Sequence, residues 1–354
     1  MIYFYTYLAH NIQNLHDYLD HFYQQMFAEV SPTFDKTLLI HADFVTIVDE
    51  YKTQLLDKLE KIFNDYAALG ATDKEIVRIA YQNNNNIEGI CNKTCNPKKF
   101  DDLPAAIRVS VKSLYDNLWD NVLKYARVVD KCGTVKQHFN AFRVANDHLV
   151  CPFCGLEGLL CEHDDGREDY DHYIPKGNYP FNCVNFINLV PMCHNCNSKY
   201  KGQVDPVWTQ GTPPVRRELF YPFDQNIQNH LIKVTIDASV SDLGRDGWTA
   251  DRLNVEFDPA TIGSKVDSWM DIFQIKSRYY ARIRQTGKLL EDHIKKRYKR
   301  KLEKGAVDFA EFKDDMMDDL WDIKSKNSAV TEHAVYEYLF SNPDFEACLN
   351  SQVG

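Results

Sequence analysis

The stretch that decides the fold begins at Cys151-Pro-Phe-Cys154-Gly155 and resumes at Cys193-His-Asn-Cys196. Each Cys-x-x-Cys pair forms a knuckle whose two thiolates point at one ion, and two such pairs complete a tetrahedral four-cysteine zinc site. Four thiolates leave no open coordination position, so the sequence predicts a structural Zn²⁺. A module of about 55 residues buries little apolar surface, and zinc can supply an apparent ~10–16 kcal/mol to so small a unit. We therefore expect chelation to unfold this region first.

The segment between the two cysteine pairs predicts a hairpin followed by a polar loop. Residues 158–162 form a strand, His163-Asp-Asp-Gly166 supplies an Asp-Gly turn, and residues 167–174 form the return strand. Pro175 ends that strand, and the second cysteine pair opens a short helix. Hairpin, loop and helix together predict a ββα unit with zinc at its base.

Two polar segments of this module are Asp171–Lys176, which reads DHYIPK, and Asn188–Lys199, which reads NLVPMCHNCNSK. Their order, their spacing and their relation to the cysteine pairs resemble the signature of HNH endonucleases with the zinc-bearing ββα-metal fold. This resemblance implies hydrolysis of phosphodiester bonds with one divalent ion, Mg²⁺ or Mn²⁺. By position, His172, Asn188 and Asn197 are the three residues of the motif.

The chemistry of phosphodiester hydrolysis gives each motif residue a role. Neutral imidazole accepts a proton from the attacking water, which is the role of His172. A hard divalent ion prefers oxygen ligands, which Asp171 and the amide of Asn197 supply. Asn188 ties the loop to the helix through backbone hydrogen bonds. Neighbouring residues of a regular strand face opposite ways, so Asp171 and His172 must lie where the strand is distorted.

Several residues of the module carry a second interpretation. His172 is alternatively a buried, hydrogen-bonded histidine, and Asn197 a simple helix cap. His194 competes with Asn197 for the third motif position, and is otherwise a knuckle residue or a substrate contact. Cys161 and His163 form either the tip of the hairpin or a second metal pair.

The regions on either side of the module predict a chain that is mainly α with a small α+β module. Residues 1–145 form a helical region because apolar side chains recur at helical spacing, residues 146–210 form the HNH domain, and residues 211–354 are mixed and then helical. Within the last region, 230–237 has strand-like composition, and long helical patterns run over 269–304, 308–324 and 331–340. The four asparagines at 83–86 predict a surface loop or a helix end.

The charge of the chain is uneven. Its formal net charge is −10, yet residues 276–304 carry twelve Lys or Arg and three acids, which is 12 − 3 = +9 and leaves −10 − 9 = −19 for the remainder. We expect nucleic acid, DNA above all, to bind near this basic helix, with Tyr279, Tyr280 and Tyr298 stacking on bases. Alternatively, the helix is a solvated face, or it meets the acidic stretch 314–322 or a partner protein. The predicted nucleic-acid contacts are Lys176, Lys199, Lys295, Lys296, Arg297, Lys299 and Arg300.

The chain shows no sign of export or membrane insertion. Its first ten residues lack a basic lead and a small-residue cleavage site, and no apolar run approaches the ~20 residues of a membrane span. The sequence therefore predicts a cytoplasmic protein without a membrane partner, and its remaining cysteines are expected to be free thiols.

Two other functions compete with a DNA-cutting enzyme: a non-catalytic zinc module that binds nucleic acid or protein, and an HNH enzyme that cuts RNA. Asp171–Lys176 with Tyr179-Pro180, together with Phe220-Tyr-Pro-Phe-Asp224, is similar to HNH proteins encoded beside ABC-type ATPases in bacterial anti-phage defence systems of the Septu and retron type. That similarity implies an ATPase partner that restrains the nuclease or delivers it to its target.

Overall fold

The structure is a computed structural model and describes residues 3–160, 168–226, 232–237, 250–257, 263–305, 307–322 and 328–351. The fold is mainly helical, and the described residues contain two small antiparallel sheets of two strands each. This agrees with the predicted class, mainly α with a small α+β module. Cys161, His163 and the predicted Asp-Gly turn lie outside the described residues. In the part of the chain that is described, no helix has both the length and the apolar character that crossing a membrane requires.

The N-terminal region is a group of helices whose apolar faces meet in one hydrophobic cluster. The periodic runs predicted from the sequence lie in α1, in α3 to α4 and in α7, and a π-helical segment, Lys52–Leu56, joins α3 to α4. The helices are α1 Asn14–Phe27, α2 Lys36–Leu39, α3 Ala42–Glu50, α4 Asp57–Ala67, α5 Ala71–Asn85, α6 Ile87–Cys91, α7 Ala105–Leu118, α8 Ala126–Cys132 and α9 Val135–Ala145.

The central module contains a hairpin-like sheet, but its strands are not paired as the sequence analysis expected. Strand β1, Tyr170–His172, pairs antiparallel with β2, Leu189–Pro191, and not with the described part of the expected first strand, residues 158–160. Of the expected first strand, Gly158 makes one isolated bridge, to Val150. The apolar side chains of β2 are buried at every position, which favours that strand as the partner of β1. The helical segment Asn195–Lys201, which has π-type turns, follows.

The C-terminal region begins with a strand pair and continues as helices. Strand β3, Ile232–Ile236, lies in the predicted strand, and β4, Leu253–Phe257, pairs with it. The single helix predicted over 269–304 is two helices, because Gln274 adopts a left-handed conformation with φ 51° and breaks the run. The helices are α10 Gly263–Ile272, α11 Ile275–Leu302, α12 Phe309–Asp322, α13 Ala329–Ser341 and α14 Pro343–Ser351.

Two hydrophobic clusters meet at the module. One unites helices of the N-terminal region with Tyr170, Phe181 and Phe186 of the module. The other unites the four cysteines with the segment Tyr3–Tyr5 and with C-terminal helices. The module therefore presents one face to each cluster, and its cavity lies where the N-terminal helices reach it.

Candidate metal centre and catalytic cavity

The four predicted zinc ligands lie together. Cys151, Cys154, Cys193 and Cys196 are all buried, and their sulfur atoms lie within 4.8 Å of one another. The Cys154 and Cys193 sulfurs are 3.9 Å apart, close to the ~3.8 Å edge of a tetrahedron built on a Zn–S bond of ~2.3 Å. These four thiols can therefore hold a structural metal ion and are compatible with zinc.

Backbone hydrogen bonds shape the knuckles that hold the sulfurs. The amides of Cys154 and Gly155 donate to the Cys151 carbonyl at 3.2 and 2.8 Å, and Gly155 has a positive φ of 65° that completes the tight turn. The Cys193 amide donates to the Cys151 sulfur at 3.4 Å, which links the two pairs. Burial raises the pKa of Cys151 well above its usual value, so the thiol stays neutral unless a cation stabilises the thiolate.

Helix α11 supports the cysteine centre from outside. The Arg278 guanidinium lies 3.3 Å from the Cys196 sulfur and 3.3 Å from Glu157, and 4.2 Å from the centre of the Tyr200 ring. Burial alone would lower the pKa of Arg278, but the neighbouring cysteine sulfurs raise it above its usual value. Tyr279 donates to the Cys154 carbonyl at 2.9 Å. Arg278 was counted with the basic face of this helix, but its side chain is buried against the knuckles.

His172 lies at the end of β1 with its ring fixed on two sides. Its Nε2 is 2.8 Å from the Cys183 carbonyl oxygen, and the Trp119 ring meets it edge-on at 4.8 Å. Because a carbonyl only accepts, Nε2 carries the hydrogen and Nδ1 carries the lone pair of the neutral ring. Burial lowers the pKa of His172 to about 3, against the opposing effect of the Cys183 hydrogen bond, so the ring is neutral near pH 7.

Asp171, the neighbour of His172, is paired inside the protein. It is 5% exposed, and its two carboxylate oxygens lie 3.0 and 2.9 Å from the ammonium of Lys201. Burial raises the pKa of the Asp171 carboxyl, while Lys201 acts in the opposite direction. Both Asp171 and His172 border the same cavity although they are adjacent in β1. The three-residue strand ends at His172, so the chain leaves the regular alternation there, as predicted.

Asn188 is fully buried and holds the end of β1 in place. Its side-chain oxygen accepts from the Ile174 amide at 2.7 Å, and its amide donates to the Ile174 carbonyl at 2.8 Å and to the Asn182 side chain at 3.1 Å. The prediction for Asn188 was a set of backbone hydrogen bonds between its loop and the short helix. The bonds are to the backbone, but they join the loop to the residues that follow β1.

Asn197 and two lysines complete one wall of a cavity of about 440 Å³. Asn197 borders it together with Asp171, His172, Lys176 and Lys201, while its amide lies 3.5 Å from the Asp169 carbonyl. The competing third-position residue, His194, is exposed and does not border the cavity. The cavity thus gathers the predicted His, Asp and third-position Asn.

A further part of the cavity lining comes from the N-terminal region, which carries no predicted site residue. Asp116 and Asp120 border the cavity, and Asp120 lies 3.6 Å from the ammonium of Lys176. Trp119, which contacts His172, lies between them in the chain. Nothing in the local sequence after α7 marks Trp119 and Asp120, because their partners His172 and Lys176 lie more than fifty positions away.

The asparagine run at 83–86 has a more specific role than a surface loop. It forms the end of α5, and Asn84 is buried with its carbonyl accepting from Asn182 at 3.3 Å. Asn182 in turn accepts from Asn188, so a chain of asparagine contacts links α5 to the loop between β1 and β2. Asn86 caps α6 through the Gly89 amide at 2.8 Å.

The basic face of α11 is partly neutralised by acids of the same chain. Lys295 pairs with Glu291 at 2.5 Å, Arg297 pairs with Asp319 at 2.7 Å, and Lys301 pairs with Asp315. The contacts with α12 match the predicted alternative in which this helix meets the acidic stretch. Lys199, Lys296, Lys299 and Arg300 are exposed.

Two of the three tyrosines expected to stack on bases face inward. Tyr279 is fully buried, and Tyr298 is buried with its hydroxyl 2.8 Å from the Asn350 side chain. Their rings pack in the hydrophobic cluster that contains the C-terminal helices, so they are not on the surface where a base could stack on them. Tyr280 is partly exposed, with its hydroxyl 3.3 Å from Arg284.

Comparisons with known proteins give this chain no family. No family model matches it, and no solved structure is similar to it. A stretch of 117 residues is 30% identical to Protein ea31 of Escherichia phage lambda and covers 32% of this chain and 34% of ea31. The match thus spans about a third of each protein, and the name of ea31 states no activity.

Proposed function

We propose that this protein is a metal-dependent endonuclease of the HNH type that hydrolyses phosphodiester bonds, with DNA as its substrate. The observation that carries the proposal is the fixed orientation of His172, whose Nε2 is committed to the Cys183 carbonyl. This contact leaves Nδ1 as the basic nitrogen of a histidine that borders the same cavity as Asp171, Asn197 and two lysines. A buried histidine with a purely structural role does not require an aspartate, an asparagine and two lysines around the same cavity.

The proposed step is a general-base hydrolysis. Nδ1 of His172 takes a proton from a water molecule, the water oxygen forms a bond to phosphorus, and the bond from phosphorus to the leaving oxygen breaks. The leaving oxygen takes its proton from solvent. The low pKa of His172 keeps the ring unprotonated at neutral pH, and an anionic phosphate beside it would raise that pKa towards the working range.

The residues present fit a hard divalent ion. One carboxylate oxygen of Asp171 is buried without a hydrogen bond, and the amide of Asn197 borders the same cavity. Asp171 and Asn197 would hold Mg²⁺ or Mn²⁺, and the ion would stabilise negative charge on the phosphate oxygens. The ammonium groups of Lys176 and Lys201 add positive charge for the substrate backbone.

The substrate, the partner and the location follow from the proposal as expectations. Contacts with phosphates carry no information about the bases, and DNA and RNA share the same phosphate groups. The choice of DNA over RNA therefore rests on the resemblance and not on the cavity. We also propose that the protein acts in the cytoplasm as an effector of phage defence with an ABC-type ATPase partner. Co-purification with such a partner would support this, and full activity of the lone protein would weaken it.

The test is incubation of the zinc-loaded protein with plasmid, tRNA and single-stranded DNA, each with Mg²⁺, with Mn²⁺ and with EDTA. His172→Ala is compared with His194→Ala, which removes an exposed histidine of the same module. We expect metal-dependent cutting of plasmid by the wild type and by His194→Ala, and its loss in His172→Ala. Cutting of tRNA alone would favour the RNA-cutting enzyme, and binding without any cutting would favour the non-catalytic zinc module.

A further inference from the structure

Lys201 is the most deeply buried charged residue that borders the cavity, and its ammonium contacts both Asp171 and His172. It is 1% exposed, and it lies within 3.0 Å of both Asp171 oxygens and 2.9 Å from the His172 carbonyl oxygen. An ammonium has three donors. Two of them donate, one to an Asp171 oxygen and one to the His172 carbonyl, while the second Asp171 oxygen faces the ammonium at 2.9 Å without a hydrogen bond. Lys201 therefore acts as the resident cation of this carboxylate.

The local backbone brings Lys201 to this position. It ends the helical segment Asn195–Lys201, whose π-type turns shift side chains relative to an α-helix. Gly202 follows with a positive φ of 45°, and its amide closes the segment on the Asn197 carbonyl at 2.8 Å. The same turn therefore sets both Asn197 and Lys201 against the cavity.

We propose that Lys201 and the catalytic divalent ion compete for the Asp171 carboxylate, so that binding of the ion requires the ammonium to leave. This inference rests on the proposed function, because that function requires an ion at Asp171. A carboxylate that faces an ammonium at 2.9 Å already has its charge neutralised. A second, divalent cation would meet the lysine charge at close range in a buried setting, where such repulsion is weakly screened.

The cavity offers the displaced ammonium a place to go. Lys201 borders the cavity, and so do the acidic residues Asp116 and Asp120. Those acids are partnered by Lys112 and Lys176 at 2.6 and 3.6 Å. The longer of these two ion pairs, that of Asp120, marks the carboxylate best able to accept a second ammonium.

The first test measures Mn²⁺ binding to the zinc-loaded full chain by titration calorimetry, without nucleic acid. Lys201→Met removes the charge and keeps most of the length, and Lys199→Met removes an exposed lysine two positions away. We expect Lys201→Met to bind Mn²⁺ at least about tenfold more tightly than the wild type, and Lys199→Met to match the wild type. Adding Asp171→Asn to Lys201→Met should abolish the gain. Equal or weaker Mn²⁺ binding by a folded, zinc-loaded Lys201→Met overturns the inference.

The second test uses the wild type alone and does not depend on how a variant folds. An amine-reactive ester is applied with and without Mn²⁺, and acylation of Lys201 is read by mass spectrometry. We expect Lys201 to be protected without Mn²⁺ and labelled when Mn²⁺ is bound, with the labelling of exposed Lys199 unchanged. Continued protection of Lys201 at saturating Mn²⁺ contradicts the inference.

These measurements separate the inference from the function on which it rests. Competition for Mn²⁺ without cleavage of any nucleic acid would leave the competition in place and sink the nuclease. Metal-dependent cleavage with no gain in Mn²⁺ affinity in Lys201→Met would leave the nuclease in place and sink the competition.

Discussion

Asn188 shows how much one buried side chain of the site does for its neighbours. It satisfies both the amide and the carbonyl of Ile174 and contacts Asn182, all without exposure to solvent. Each buried polar group that loses its partner costs about 1–3 kcal/mol. Asn188 therefore fixes the path of the backbone directly after β1.

Asn188→Ala is expected to lower the free energy of unfolding by roughly 2–5 kcal/mol, because it orphans two backbone groups and leaves a small void. Urea denaturation of the zinc-loaded protein measures this. Asn121→Ala is the control. Asn121 is exposed, and its side-chain amide donates to the side chain of Asn117. Equal stability of the two variants would mean that Asn188 does not hold the loop.

The sequence predicts residues of the site where a short pattern carries the chemistry. Two Cys-x-x-Cys pairs require a common ion, and Asp171 with His172 is recognised by its neighbours. Lys201 and the Cys183 carbonyl were missed as partners of these residues, because a pairing across folded chain leaves no local pattern. The one available signal for Lys201 was its place on the short helix that also carries Asn197.

At the scale of elements, helix α11 links the C-terminal region to the cysteine centre through Arg278. The guanidinium forms a planar fork between Cys196 and Glu157 and stacks on Tyr200, a combination that lysine cannot reproduce. Residues that support metal ligands from outside typically change metal affinity by about 10–100-fold. Arg278 therefore supports the four-cysteine centre, with its side chain buried against the knuckles.

Arg278→Leu is expected to speed the loss of zinc to a chelator by at least about tenfold. Release is followed with a chromogenic zinc indicator on the full chain. Arg282→Leu is the matched control, one turn further along α11 and partly exposed. The same release rate from both variants would show that Arg278 does not support the centre.

The exposed and the paired cations of α11 should respond differently to salt. If Lys296, Lys299 and Arg300 contact phosphates, their replacement by Gln should reduce the slope of log K against log salt by up to about 2.7 for duplex DNA. The control replaces Lys288, Lys295 and Arg297, which already pair with acids of the chain. An unchanged slope in the first variant would exclude the helix from DNA binding and leave the nuclease proposal intact.

Elements of this fold were predictable in proportion to their length. The helices with several apolar turns were found, since helical spacing repeats often enough to be read. The pairing of β1 with β2 was not found, because strands of three residues show no alternation. The break at Gln274 was also missed, since a left-handed residue other than glycine leaves no mark in the apolar pattern.

At the scale of the whole molecule, the stability should depend on buried histidines. Burial lowers the pKa of His16 and of His138 to about 4, from an unfolded value near 6.5. Between those values the unfolded chain binds protons that the folded chain does not, so stability is full above about pH 6.5 and falls as the pH decreases towards 4. Each histidine contributes up to about 1.4 kcal/mol per pH unit in this window.

His16→Leu tests this dependence. Its free energy of unfolding should fall less than that of the wild type between pH 7 and pH 5, by up to about 2 kcal/mol. Urea denaturation at each pH measures the difference. A parallel fall in both proteins would mean that His16 is not held neutral by the fold.

The whole molecule also explains why the cavity was only half predictable. Part of its lining comes from the central module, where the sequence pattern predicts Asp171, His172 and Asn197. Another part comes from Asp116 and Asp120, and Trp119 between them contacts His172. All three reach the module only through the packing of the N-terminal helices. Packing between distant segments is decided by the shape of two clusters, and no local spacing encodes it.

The most direct test of the central claim is the rate of plasmid nicking by the zinc-loaded wild type and by His172→Ala at saturating Mg²⁺. The account predicts that the rate falls by at least about 100-fold, as expected for loss of a general base, while the zinc content stays the same and the protein remains folded. It predicts the wild-type rate for His194→Ala. Nicking by His172→Ala at the wild-type rate would contradict the account.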